Sequence, residues 1–118
     1  MRSLSASNTL PRLSSTASSA TPSINTDTTD LFEITALAAA ITSMTTNLTG
    51  TPIDGQTLLI RIKDNGTARA ITWGASFVSS GVATLLATTV ASKTHTVGLM
   101  YNSTAAVWVC MAVDATGY

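Results

Sequence analysis

Apolar residues alternate with polar ones over much of the chain, and that period of two predicts strands rather than helices. In "TLLIRIKDNGTARAITW", Leu58, Ile60 and Ile62 fall on one face, and Leu59, Arg61 and Lys63 on the other. Asp64-Asn65-Gly66 supplies residues that tolerate positive φ, and Arg69, Ile71 and Trp73 then alternate with Ala68, Ala70 and Thr72. The stretch from Thr57 to Trp73 therefore predicts a hairpin with a basic outer face of Arg61, Lys63 and Arg69.

"KTHTVGLMY", "NSTA" and "AVWVCMAV" predict a second hairpin. His95, Val97, Leu99 and Tyr101 share one face of its first strand. Trp108, Cys110 and Ala112 share one face of its second, with Val107, Val109, Met111 and Val113 opposite. That last strand is apolar on both faces, where a half-exposed strand should alternate. The expectation is an added subunit interface made by His95, Val97, Leu99, Trp108 and Val109.

Upstream, "DLFEITAL" predicts a strand near Leu31 to Thr35, Ala38 to Ala40 a short helical turn, and "ITSMTTNL" a further strand. "TGTPIDGQ" carries turn chemistry at Gly50, Pro52 and Asp54-Gly55. "GASFVSSG" reads as a loop anchored by Phe77 and Val78, and "VATLLATTVASK" as a weaker strand. Many short strands between turn signals predict an all-β fold, an antiparallel sandwich of jelly-roll type, over residues 23–118.

Residues 1–22 break the pattern. They are Ser-rich, interrupted by Pro11 and Pro22, and hold Arg2 and Arg12 with no acid. They lack the apolar core of a secretory signal, although they share an Arg- and Ser-rich, acid-free composition with organellar transit peptides. Ordering such a segment costs about 1–2 kcal/mol of backbone entropy per residue. Apart from Met1, Leu4, Leu10 and Leu13 are its only large apolar groups. The expectation is an extended arm, gripped by a neighbouring molecule through Leu4, Leu10, Pro11 and Leu13.

Composition sharpens the picture at a few points. Only 10% of residues are charged, against roughly 25% in ordinary globular chains, while apolar content is high enough for a core. Net charge is zero, which lends no support to a nucleic-acid partner. The single cysteine, Cys110, leaves no intrachain disulfide and reads as a small buried hydrophobe. No run approaches the roughly 20 apolar residues of a membrane-crossing helix.

Candidate chemistry is thin. His95 is the only histidine, and no nucleophile-elbow pattern accompanies it. One His and one Cys cannot build a structural zinc site, and Asp27, Asp30 and Glu33 lack the Gly-rich spacing of a calcium loop. No catalytic residue, metal or cofactor is expected. Trp73, Tyr101 and Trp108 are candidate glycan-stacking residues if exposed.

"INTDTTDLFEITALAAAITSMTTNLTGTPIDGQTLLIRIKDNGTARAITWGASF", followed by "GLMYNSTAAVWVCMAV", resembles a β domain that recurs in tailed-bacteriophage virion proteins, in tail-fibre-like and minor structural components. The similarity runs from about Ile24 to Val113, with "GTP..GQ.L.IRIKDNGTARAITWG" as its specific part. It implies a structural, non-enzymatic role, a jelly-roll-like fold and a homotrimer. It carries no catalytic residue onto this sequence. The chain lacks a long shaft and a separate receptor-binding domain, which favours a small appendage or a capsid decoration knob. The expected partners are further copies of itself and other capsid or tail proteins. The expected location is the virion, assembled in the host cytoplasm. A carbohydrate-binding module that recognises a host surface glycan is the alternative.

Overall fold

The computed structural model describes residues 10–118. Their regular elements are all strands: β1 (Leu13–Thr16), β2 (Ile24–Asn25), β3 (Leu31–Leu37), β4 (Leu48–Thr49), β5 (Thr57–Asp64), β6 (Phe77–Val78), β7 (Thr94–Asn102) and β8 (Val107–Val113). Six of them form one sheet in the order β1-β3-β5-β7-β8-β6, and β2 with β4 forms a second, two-stranded sheet.

The sheet is mixed, which corrects the antiparallel expectation. β1 runs parallel to β3, β3 to β5, and β6 to β8, whereas β5–β7 and β7–β8 are antiparallel. Alternation within each long strand sends one set of side chains inward. Phe32, Ile34 and Leu37 of β3, Leu58, Ile60 and Ile62 of β5, Val97 and Leu99 of β7, and Trp108 and Cys110 of β8 are all buried. Ile24, Ile41, Met44, Ile71, Trp73, Phe77 and Leu86, from the connecting segments and short strands, complete the same core. Two isolated bridges, Ile41 to Ile71 and Ala70 to Thr88, tie those segments together. Trp73 fixes them further. Its Nε1–H donates to the Leu86 carbonyl at 2.7 Å, and its ring meets Phe77 edge-on at 5.2 Å between centroids.

The C-terminal hairpin forms as expected. Its turn is closed by Asn102, whose Oδ1 accepts from the Thr104 and Ala105 amides at 3.0 and 3.1 Å. The hairpin expected from Thr57 to Trp73 does not form. β5 is central and has β3 on one flank and β7 on the other, so no edge remains for residues 68–73. The turn chemistry at Asp64-Asn65-Gly66 is used locally, with the Gly66 amide donating to Asp64 Oδ1 at 2.9 Å. "ITSMTTNL" yields only the bridge at Ile41 and the start of β4, and Ala38 to Ala40 form no helical turn.

The described part of the expected arm belongs to the sheet. β1 is its outer strand, in register with Leu31 to Ile34 of β3. Arg12 clamps it, donating through its amide and Nε to Asp30 Oδ2 at 2.7 and 3.1 Å, and through Nη1 to the Asp27 carbonyl at 2.7 Å. Pro22 is buried. Leu10, Pro11 and Leu13 are exposed; Leu4 lies outside the described residues.

Candidate interaction face

The register of the sheet builds one feature that the strands separately do not announce. Leu13 of β1 lies beside Leu31 of β3, Leu31 beside Leu59 of β5, Leu59 beside Gly98 of β7, and Gly98 beside Ala112 of β8. All five belong to the outward set. A methyl group placed on Gly98 would lie 3.6 Å from Leu59 Cδ2 and 3.7 Å from Ala112 Cβ, so the row is closed side to side. Met100 and Val109 form the next outward row, and the irregularity between Gly98 and Leu99 leaves Met111 without a partner in the ladder.

Four of the large side chains stand open: Leu13 is 62% exposed, Leu59 44%, Met100 41% and Met111 48%. With Leu31, Val109 and Ala112 they present on the order of 300 Å² of apolar surface, within the range of the largest patch on a monomer. The opposite flank of the row is polar. Ser15, Glu33, Arg61 and Thr96 line up across the sheet, and Arg61 Nη1 pairs with Glu33 Oε2 at 3.0 Å. Lys63 and Thr94 follow. The face is thus split into an apolar band and a charged one.

The residues expected at a subunit interface lie on the wrong side of the sheet for that role. His95, Val97, Leu99 and Trp108 are between 0 and 2% exposed and point into the chain's own core; Val109 alone is on the outer face, half-buried. A period of two identifies two faces and does not say which is inside. The signal for the outer band was nonetheless present, as Leu59 beside Arg61 and Lys63 and as the second apolar face of the last strand.

The glycan-stacking expectation fails for a similar reason. Trp73 and Trp108 are 6% and 2% exposed. Trp108 reaches only the floor of a depression of about 190 Å³, where Tyr101 leans on it with centroids 5.1 Å apart. A larger open cleft of about 840 Å³ is lined by Arg12, Asp27, Asp30, Ile53, Asp54 and Gln56, among others, and by no aromatic residue. Its groups are largely engaged with one another. The Thr51 amide donates to Asp27 Oδ1 at 2.9 Å, Gln56 Nε2 to the Thr26 carbonyl at 2.8 Å, and the Ser103 amide to Asp54 Oδ1 at 2.9 Å. Hydrogen bonding to Asp30 raises the Arg12 pKa above its ordinary value, against an opposing effect of burial.

His95 is sealed. Its Nε2 accepts from the Val90 amide at 2.9 Å and its Nδ1 faces the Asp114 carbonyl at 2.8 Å, which assigns the proton to Nδ1. Neither nitrogen is left for a substrate. Beside it, buried Asp64 accepts from Thr89 Oγ1 at 2.6 Å and from the Ser92 amide at 2.7 Å. Burial pushes this carboxyl up, but the hydrogen bonds from Thr89, Ser92 and Gly66, with His95 nearby, outweigh it and hold the group below its usual value. The cluster fastens the segment after Thr88 to the end of β5. Glu33 is committed to Arg61 and Asp30 to Arg12.

Comparison with protein-family models, with curated proteins and with solved structures gives no match to this chain.

Proposed function

We propose that this chain is a structural accessory subunit of a bacteriophage virion, a capsid decoration knob or small tail-fibre-like appendage, which docks through the outer face of its sheet. The reading begins from the sequence resemblance and takes its jelly-roll-like, two-layered interpretation of the fold from there. One structural observation carries it: the apolar row from Leu13 to Ala112, left open on an otherwise alternating sheet. Outward faces of this kind are normally polar, and a band of this size marks an interaction surface. Its area is well below the roughly 800 Å² per partner of a stable binary complex. Such a surface suits a subunit held at several points in a large assembly, where linked weak contacts add. Leu10 and Pro11, which precede β1 in the sequence, are exposed as well.

The test is incorporation into particles assembled without the protein. The double substitution Leu59→Lys with Met111→Lys should leave the circular dichroism spectrum unchanged and abolish incorporation. Wild-type levels of incorporation by that variant would refute the reading.

A second reading, recognition of a host surface glycan, moves from the aromatic residues to the polar cleft. Carboxylate, amide and guanidinium groups on Asp54, Gln56 and Arg12 around one concavity are the types that bind sugar hydroxyls. Saturable binding on a glycan array, lost in Asp54→Ala, would favour it over docking.

A further inference from the structure

Among the described residues, β1 is bonded to β3 on one side only, and its outer edge carries no second strand. The Leu31 amide donates to the Arg12 carbonyl at 3.1 Å, so in the alternation of a parallel ladder Arg12, Ser14 and Thr16 face β3. The N–H and C=O groups of Leu13 and Ser15 then face away from it. Exposed edges of this kind are ordinarily guarded by charge, proline, bulges or a covering segment. β1 reads Leu-Ser-Ser-Thr, with no charge and no proline. The nearest charge, Arg12, is drawn back onto Asp30 and the Asp27 carbonyl. At the opposite edge β6 has only two residues and offers little template.

We propose that a second copy of this chain pairs with β1, antiparallel, across a two-fold axis at Ser14. In that register Leu13 of each copy exchanges N–H···O=C bonds with Ser15 of the other, which uses all four outward groups of each strand. The sequence is compatible with its own two-fold image: no like charges meet, and the side chains near the axis are hydroxyls. Leu13, the most exposed large side chain of the apolar row at 62%, gains a cross-strand neighbour on its open side. The two rows join end to end, lengthening the band from roughly 19 Å to roughly 43 Å at about 4.8 Å per strand. This two-fold arrangement replaces the three-fold one implied by the sequence resemblance. It depends on the edge alone and holds whether or not the virion reading does.

The experiment is sedimentation velocity on the full chain over a concentration series up to about 1 mM, with hydrogen exchange on the same samples. The mass should rise from 12.1 kDa towards twice that value. The Leu13 and Ser15 amides should slow by at least about tenfold as it does so, with those of Ser14 and Thr16 unchanged. Ser15→Pro removes an outward N–H and no bond to β3; it should stay at the monomer mass with an unchanged circular dichroism spectrum. Leu59→Lys with Met111→Lys should still double in mass, which separates this inference from particle docking. A tripled mass, doubling by Ser15→Pro, unprotected Leu13 and Ser15 amides in the doubled species, or a monomer throughout would each overturn it.

Discussion

Replacing Asp64 by Ala should cost about 3 kcal/mol. The carboxylate is 2% exposed and accepts three hydrogen bonds, from Thr89 Oγ1, the Ser92 amide and the Gly66 amide. Hydrogen bonds to a charged group contribute roughly 1.5–3 kcal/mol each, so a simple sum would exceed 4 kcal/mol. Gly66 and Ser92 are exposed, however, and water can reach their amides once the side chain is gone. Thr89 is 3% exposed and is left without its acceptor. The loss is a large part of the roughly 6–18 kcal/mol expected for a domain of this length. It corresponds to a fall in Tm of roughly 10 °C. Asp64→Asn keeps the shape but turns an amide towards the Thr89 hydroxyl, and should cost about 1–2 kcal/mol at pH 7. The pH dependence adds a second check. Because the folded state holds this carboxyl below its ordinary 3.8, its contribution is present above that value and is lost as pH falls through the lower, folded one. The gap between wild type and Asp64→Asn should therefore narrow below pH 3.8. Thermal melts followed by circular dichroism at pH 7 and at stepped values below 4 measure both. If Asp64→Ala melts within about 2 °C of wild type at pH 7, the cluster does not hold the fold together as argued.

Removing residues 1–22 should destabilise the sheet, visible as a lower urea midpoint, because β1, the Arg12–Asp30 clamp and buried Pro22 go with them; an unchanged midpoint would show that β1 contributes nothing. Trp73→Phe keeps most of the packing but leaves the Leu86 carbonyl without its donor, and should cost about 1–2 kcal/mol in the same titration. Gly74→Ala should cost more than about 2 kcal/mol, since φ is +85° and the new Cβ would fall 2.5 Å from Thr45 Oγ1 and 2.8 Å from Thr45 Cβ. Burial raises the Cys110 thiol, against an opposing backbone hydrogen bond at Ala112; alkylation at pH 8 should be slow in the native protein and fast in denaturant.

Strand content was readable because alternation is written in the residues themselves. Thr94 to Val113 shows both strands, and Asn102 marks the turn between them. Pairing was harder to see. β5 looks the same from its sequence whether it lies at an edge or in the middle, and Asp64-Asn65-Gly66 is good turn chemistry in either case. The difference lies in Thr89 and Ser92, more than twenty residues away, which compete for the same carboxylate. β1 gave no signal because Leu13 is its only apolar residue, and its place depends on a parallel neighbour beyond Asp30. The outer apolar row was legible only in fragments, since it becomes a row when five strands are set in register.

β7–β8 is the one ladder in the main sheet closed by a short turn, and it lies near the C-terminal end of the sequence. Every other ladder must close a loop of a dozen residues or more before any contact is gained. A ribosome delivers this hairpin after β1 to β6, although β7 is the strand that joins the two halves of the sheet. Until it emerges, β1, β3 and β5 have no antiparallel neighbour. The nascent chain therefore carries Leu58, Ile60 and Ile62 without their β7 neighbour while residues 65–93 are made, and shielding by a chaperone in that interval should govern the yield of folded protein.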